Sequence, residues 1–303
     1  MIMRFIQGFC MALADSVPGV SGGTIAFLLG FYDDFIGSLN DIVSKDKNKR
    51  KNAIIFLIKI GIGWVVGMVL AILFITAVFE SNIYQISSLF IGFIIFAIPI
   101  IIMEEKKCLK GKYLNCIFVL IGAAFVAGIT YFSNSSILSE GVNLAFGELN
   151  IGLCVLLLVA GMVAISAMVL PGISGSTILM IFGLYLPVIT AIKDILHLKF
   201  EYIPAVVIFG IGVIIGALLV VRLIKKMLEK FRSQTVYFII GMMLGSLYSI
   251  AMGPTTLKDS EGVLKGLKML SFDTFSVVFF VIGGVIIFGL QALKTIMEKK
   301  ENA

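Results

Sequence analysis

The chain has 303 residues, 59% of them hydrophobic and 14% charged, with a mean hydropathy of +1.09. That balance excludes a soluble domain with one buried core and specifies an all-α polytopic membrane protein. The net charge of +6 comes from basic residues clustered between apolar runs, so it reads as a topology signal and no nucleic-acid partner is expected.

In chain order, the first element is residues 4–38, where apolar stretches from Phe5 to Ala14 and from Thr24 to Leu39 flank Pro18-Gly19. Crossing a hydrocarbon core of ~30 Å takes about 20 helical residues, and neither arm reaches that comfortably. The prediction is a re-entrant hairpin of two short helices that enters and leaves on one side. Ala12-Leu13-Ala14 imitates a signal-peptide cleavage site, but the same segment has a counterpart at 157–167, where no such signal could act, so it is kept as structure. Three spans follow, roughly 55–79, 84–103 and 113–132. A second hairpin, 151–190, has longer arms that nearly suffice to cross, and three more spans lie near 203–222, 235–252 and 274–293. The four cysteines, Cys10, Cys108, Cys116 and Cys154, lack metal-ligand spacing, so neither a disulfide nor a metal site is expected.

The chain is internally duplicated. Residues 14–36, ADSVPGVSGGTIAFLLGFYDDFI, match residues 167–189, AMVLPGISGSTILMIFGLYLPVI, with ten identities in twenty-three positions. Gly61-Ile62-Gly63-Trp64-Val65-Val66-Gly67 likewise matches Gly210-Ile211-Gly212-Val213-Ile214-Ile215-Gly216, Gly92 falls on Gly241, and Gly122 and Gly128 pair more weakly with Gly283 and Gly289. These glycines read as sites of close helix packing. The halves are therefore 1–150 and 151–303, each a hairpin plus three spans within one membrane domain.

The positive-inside rule gives the layout a direction. Eighteen basic residues fall on one side: Arg4, the 45–51 and 106–112 clusters, the cluster from Arg222 to Arg232, and the C-terminal lysines. Five fall on the other, Lys193, Lys199, Lys258, Lys265 and Lys268. Both termini are then cytoplasmic and the 133–150 loop external. Three spans separate the hairpins, so the second opens to the opposite face and the repeat is inverted.

In each hairpin, proline and glycine stop one helix and turn the chain, at Pro18-Gly19 and Pro171-Gly172. The next helix begins at Ser21-Gly22-Gly23-Thr24 or Ser174-Gly175-Ser176-Thr177, where free amide N–H groups, bare backbone and hydroxyls together suit an anion such as phosphate. The plainer alternative is that the hydroxyls only cap a broken helix. A broken helix in both halves of a membrane protein points to a transport site near the midplane.

The D-S-V-P-G-V-S-G-G-T-I-A and L-P-G-I-S-G-S-T-I-L pair, each followed by G-x-Y (Gly30-Phe31-Tyr32 and Gly183-Leu184-Tyr185), resembles the bacterial polyprenyl-phosphate transporters over the whole chain. That resemblance implies a flippase of the bacterial cytoplasmic membrane returning undecaprenyl phosphate from the outer to the inner leaflet, with the two motif segments as the head-group site. It implies a lipid partner and no enzymatic activity.

Asp15 has no acidic counterpart, since Met168 occupies its place in the repeat. A carboxylate at membrane depth costs roughly 2.5 to 3.5 kcal/mol and should be paired, protonated or functional. Moving a phosphate inward against the potential costs ~2.3 kcal/mol per charge per 100 mV, so coupling to H⁺ or Na⁺ through Asp15 is one reading, and a turn cap is the other. Lys59 reads as snorkelling to the head groups, or else as a partner of the phosphate or Asp15. Two other functions remain on the residues alone, a polyprenyl-diphosphate phosphatase and a transporter of a small anion. Against the first, neither motif carries an arginine, and no histidine or paired glutamate lies within the membrane.

Overall fold

The computed structural model describes residues 2–15, 21–70, 82–134, 144–256 and 266–301, and among them every regular element is helical. The first half runs α1 (Ile2–Asp15), α2 (Gly22–Leu28), α3 (Tyr32–Asp41), α4 (Lys47–Leu70), α5 (Ile83–Glu104), the short α6 (Lys106–Leu109) and α7 (Ile117–Asn134). The second runs α8 (Ile151–Val169), α9 (Gly175–Ile181), α10 (Tyr185–Leu196), α11 (Ile203–Lys230), α12 (Arg232–Met252) and α13 (Val277–Glu301).

Among the described residues six helical segments are long and apolar enough to cross a membrane: Lys47–Leu70, Ile83–Glu104, Tyr113–Tyr131, Ile151–Val169, Phe200–Lys230 and Arg232–Thr255. Five correspond to predicted spans. The sixth, α8, is the first arm of the second hairpin, whereas the apolar part of α13, Val277–Ala292, is shorter. Several helices outrun the apolar stretch that signals them. α4 starts at Lys47 because Asp46 Oδ1 accepts the Asn48 N–H at 2.8 Å and caps it, and α11 continues to Lys230 through basic residues that favour helix. The predicted end of the first span near 79, Pro18-Gly19, and residues 135–143 of the 133–150 loop lie outside the described residues.

The second arm of each hairpin departs from the expected single helix. α2 stops at Leu28 and α3 begins at Tyr32; α9 stops at Ile181 and α10 begins at Tyr185. Gly30 and Gly183 adopt φ of +68° and +67° at these breaks. The Phe31 N–H returns to the Ala26 carbonyl at 3.0 Å, as Leu184 N–H does to Leu179 at 2.9 Å, closing each helix with a left-handed glycine cap. The G-x-Y motif is this break.

Packing follows the duplication. α1 lies along α4 as α8 lies along α11, α5 along α13, and α7 along α12. A methyl group on Gly63 would overlap the Phe5 carbonyl, and one on Gly212 the Leu158 carbonyl at the equivalent place. Gly92 meets Phe280 and Gly283 meets Leu89; in the mirror pair Gly241 meets Val119 and Gly122 meets Phe238. Small residues thus bring the helix backbones together. Gly61, Gly210, Gly128 and Gly289 have no such contact among the described residues, so the packing seen at the others is not seen at those four.

Candidate functional site

The start of α2 in the first hairpin meets the end of α8 and the turn after it in the second. Ser21 caps α2, its Oγ accepting the Thr24 N–H at 3.3 Å and donating to the Leu170 carbonyl at 3.0 Å. Thr24 Oγ1 lies 3.1 Å from Ser21 Oγ and accepts the Gly172 N–H at 2.8 Å. The Tyr32 hydroxyl donates to the Val169 carbonyl at 3.1 Å. Gly23 comes so near the same carbonyl that a Cβ would sit 2.5 Å from it. Ser21 and Thr24 are each 1% exposed, and an unpaired buried hydroxyl costs about 1 to 3 kcal/mol. Their bonds across the junction remove that cost and fix one hairpin against the other.

Asp15 closes the first tip. Its Oδ1 accepts the Gly22 N–H at 2.6 Å, and its Oδ2 accepts the indole N–H of Trp64, on α4, at 2.8 Å. The first amide of α2 thus already holds a carboxylate. Trp64 escapes attention in the sequence because hydropathy counts the indole as apolar. The available signal is that the chain's one tryptophan stands where the repeat has Val213.

Asp15, Gly22 and Gly23 form the polar floor of a cavity of about 640 Å³. Its walls are apolar: Met11, Phe35, residues of α4 from Leu57 to Val66, and Ile165, Met168 and Val169 from α8. Ile58, Ile62 and Val65 among them are 55%, 50% and 55% exposed on the outer face of a span, so the cavity opens sideways. Lys59, half-buried, sits between the lining residues Ile58 and Ile60 but is not itself part of the lining.

The second tip is built differently. Ser174 Oγ and Ser176 Oγ lie 2.6 Å apart, and Ser176 and Thr177 are half-buried. Gly172, next to the buried Pro171, has φ of +90°, and a Cβ there would come within 2.6 Å of the Met242 carbonyl, so both conformation and space require glycine. Ser174, Gly175, Ser176 and Thr177 are not among the cavity's lining residues. Ser21 and Thr24 are not among them either, so the predicted head-group residues that line the cavity are Gly22 and Gly23, with the end of α8 beside them.

At one end of the bundle, ion pairs tie α3 to three other helices. Arg4 on α1 bonds Asp34 at 3.1 Å, Lys225 on α11 bonds Asp41 at 3.3 Å, and Arg232 at the start of α12 bonds Asp33 at 2.7 Å. Arg232 also grips Glu105 with two nitrogens. Burial raises the Glu105 pKa, but the hydrogen bonds from Arg232 and Cys108 more than reverse this and hold the carboxyl below its ordinary value. The Arg4 guanidinium also lies 4.5 Å over the Phe56 ring, joining α1 to α4.

A family model described as VCA0040-like, undecaprenyl phosphate translocase-like, matches residues 11–265. A polyprenyl-phosphate transporter of Vibrio cholerae is 31% identical over 296 residues, covering 91% of this chain and 88% of the relative. A polyprenyl-phosphate transporter of Staphylococcus aureus is 34% identical over 260 residues, covering 84% of this chain and 88% of the relative. No solved structure matches. With both motif segments and the cavity inside the matched region, the chain belongs to the undecaprenyl phosphate translocase-like family.

Proposed function

We propose that the protein carries undecaprenyl phosphate, or a closely related polyprenyl phosphate, from the outer to the inner leaflet of the bacterial cytoplasmic membrane. The observation that carries this reading is the sideways-opening cavity: a lipid tail can lie along the exposed apolar face of α4 while its head reaches the polar floor at Asp15, Gly22 and Gly23. A small soluble anion would call for a polar vestibule instead. The names of the relatives point to the same substrate.

In this reading the halves 1–150 and 151–303 are inverted repeats and the hairpins are re-entrant. The recurrence of the glycine contacts supports the repeat. The ion pairs join Arg4, α3, Glu105, Lys225 and Arg232, segments that the positive-inside rule assigns to the cytoplasm together with both termini. Asp15 carries the coupling H⁺ or Na⁺ that offsets the work of moving an anion inward.

The test is reconstitution in liposomes with a labelled polyprenyl phosphate, following its movement between leaflets under imposed pH and Na⁺ gradients. Movement that depends on the protein and on one of the gradients is expected. If Asp15→Asn leaves rate and gradient dependence untouched, the coupling role is wrong. Hydrolysis of a polyprenyl diphosphate by purified protein, lost in Ser174→Ala, would replace the transporter reading with a phosphatase.

A further inference from the structure

At the polar floor of the cavity Asp15 ties two donors together, the Gly22 amide and, from the α4 wall, the Trp64 indole N–H. The duplication supplies an internal control for what this cluster is for. In the second half, Met168 stands at the Asp15 position and Val213 at the Trp64 position, so both members of the hydrogen-bonded pair are replaced together by apolar residues.

The glycine contacts around them recur although the chemistry differs. A Cβ on Gly22 would lie 2.8 Å from Asp15 Oδ2, and one on Gly175 would lie 2.6 Å from Met168 Cγ. A Cβ on Gly8 would come 3.0 Å from the Trp64 nitrogen of the main chain, and one on Gly161 3.1 Å from that of Val213. The same close glycine contacts therefore form around a thioether and an isopropyl group. A carboxylate and an indole N–H at the floor of an otherwise apolar cavity answer a need that packing does not impose.

Resting on the polyprenyl-phosphate reading above, we propose that Trp64 is a head-group-binding residue, and that the Asp15 carboxylate and the lipid phosphate are alternative acceptors for the same two donors, the Trp64 indole and the Gly22 amide. Asp15 holds those donors 2.8 Å and 2.6 Å from its two oxygens, a spacing that two oxygens of a phosphate monoester can reproduce. When the phosphate takes them, the carboxylate turns away from the α2 start, because two anions cannot share the site. Neutral lipids with the same tail lack an acceptor that competes with a carboxylate, so the exchange also selects for the phosphate.

The chain's single tryptophan makes the exchange directly readable. Full-length protein in nanodiscs is titrated with farnesyl phosphate and, separately, with farnesol, while tryptophan emission is followed and binding is measured independently with radiolabelled farnesyl phosphate. The expected result is a saturable emission change with farnesyl phosphate and none with farnesol. Asp15→Asn tightens farnesyl phosphate binding, and Trp64→Phe weakens radiolabel binding, each about tenfold, the effect of one hydrogen bond or one charge at such a site. Radiolabel binding with no change in wild-type emission overturns the proposal while leaving the substrate reading intact, as does Asp15→Asn binding no tighter than wild type. Absence of radiolabel binding in the wild type overturns both.

Discussion

At the first hairpin Gly22 packs against the carboxylate of Asp15, and at the second Gly175 packs against the side chain of Met168 in the same way. Beyond the tips the two hairpins diverge further. α3 is held by Asp33, Asp34 and Asp41 to three other helices, while the ion pair recorded on α10, Asp194 with Lys199 at 3.1 Å, is local and exposed. The difference teaches that the duplicated framework and the chemistry are separable. Glycine-on-carbonyl packing is common to both halves, whereas the polar cluster is built in the first, and the ion pairs centre on α3 of the first with Lys225 and Arg232 supplied by the second.

If that division is right, damage to the framework should hurt equally in either half. Gly63→Leu and Gly212→Leu each force a side chain against a neighbouring helix backbone, so each should cost at least about 1 to 3 kcal/mol and lower the recovery of folded protein to the same degree. Size-exclusion profiles after heating in detergent compare them, and a large inequality would break the symmetry of the framework. Next in size is Thr24→Val, which leaves the Gly172 N–H without its acceptor at the junction and should cost about 1 to 3 kcal/mol, with Thr24→Ser restoring most of it.

Smaller still is the ion-pair ring. Arg232→Gln should lower stability at neutral pH by about 1 kcal/mol or less, because the pairs are partly exposed to solvent. The sign with pH follows from Glu105, whose pKa is lower in the folded protein than in the unfolded chain. Its stabilisation is present in full above the ordinary carboxylate pKa and is lost as the pH falls through the depressed folded value. Thermal midpoints of wild type and variant should therefore differ at neutral pH and converge in acid. Lys199→Gln, removing the exposed pair of the second hairpin, should leave the midpoint unchanged.

How much of this was legible in the sequence depended on the kind of force involved. Apolar run length located the spans, since a helix in lipid must satisfy its own backbone. The same signal placed one helix over residues 24–39, because hydropathy does not register the left-handed turn at Gly30. Ser21 and Thr24 stood out as hydroxyls at a helix start, and the cap is there, but their bonds to Leu170 and Gly172 cross 148 or 149 residues and no local pattern encodes them. Asp15 was visible as a charge at membrane depth. Its partner was not, for the indole of Trp64 looks like any other apolar residue until the fold turns its N–H onto the carboxylate.

The most direct test of a shared framework with one-sided chemistry is leaflet movement of labelled polyprenyl phosphate in liposomes by Trp64→Phe and by Val213→Ala, its counterpart in the repeat. The account predicts that Trp64→Phe slows movement about tenfold, as loss of one hydrogen bond to a charged group should, while Val213→Ala stays near the wild-type rate. Equal rates for the two variants would contradict it.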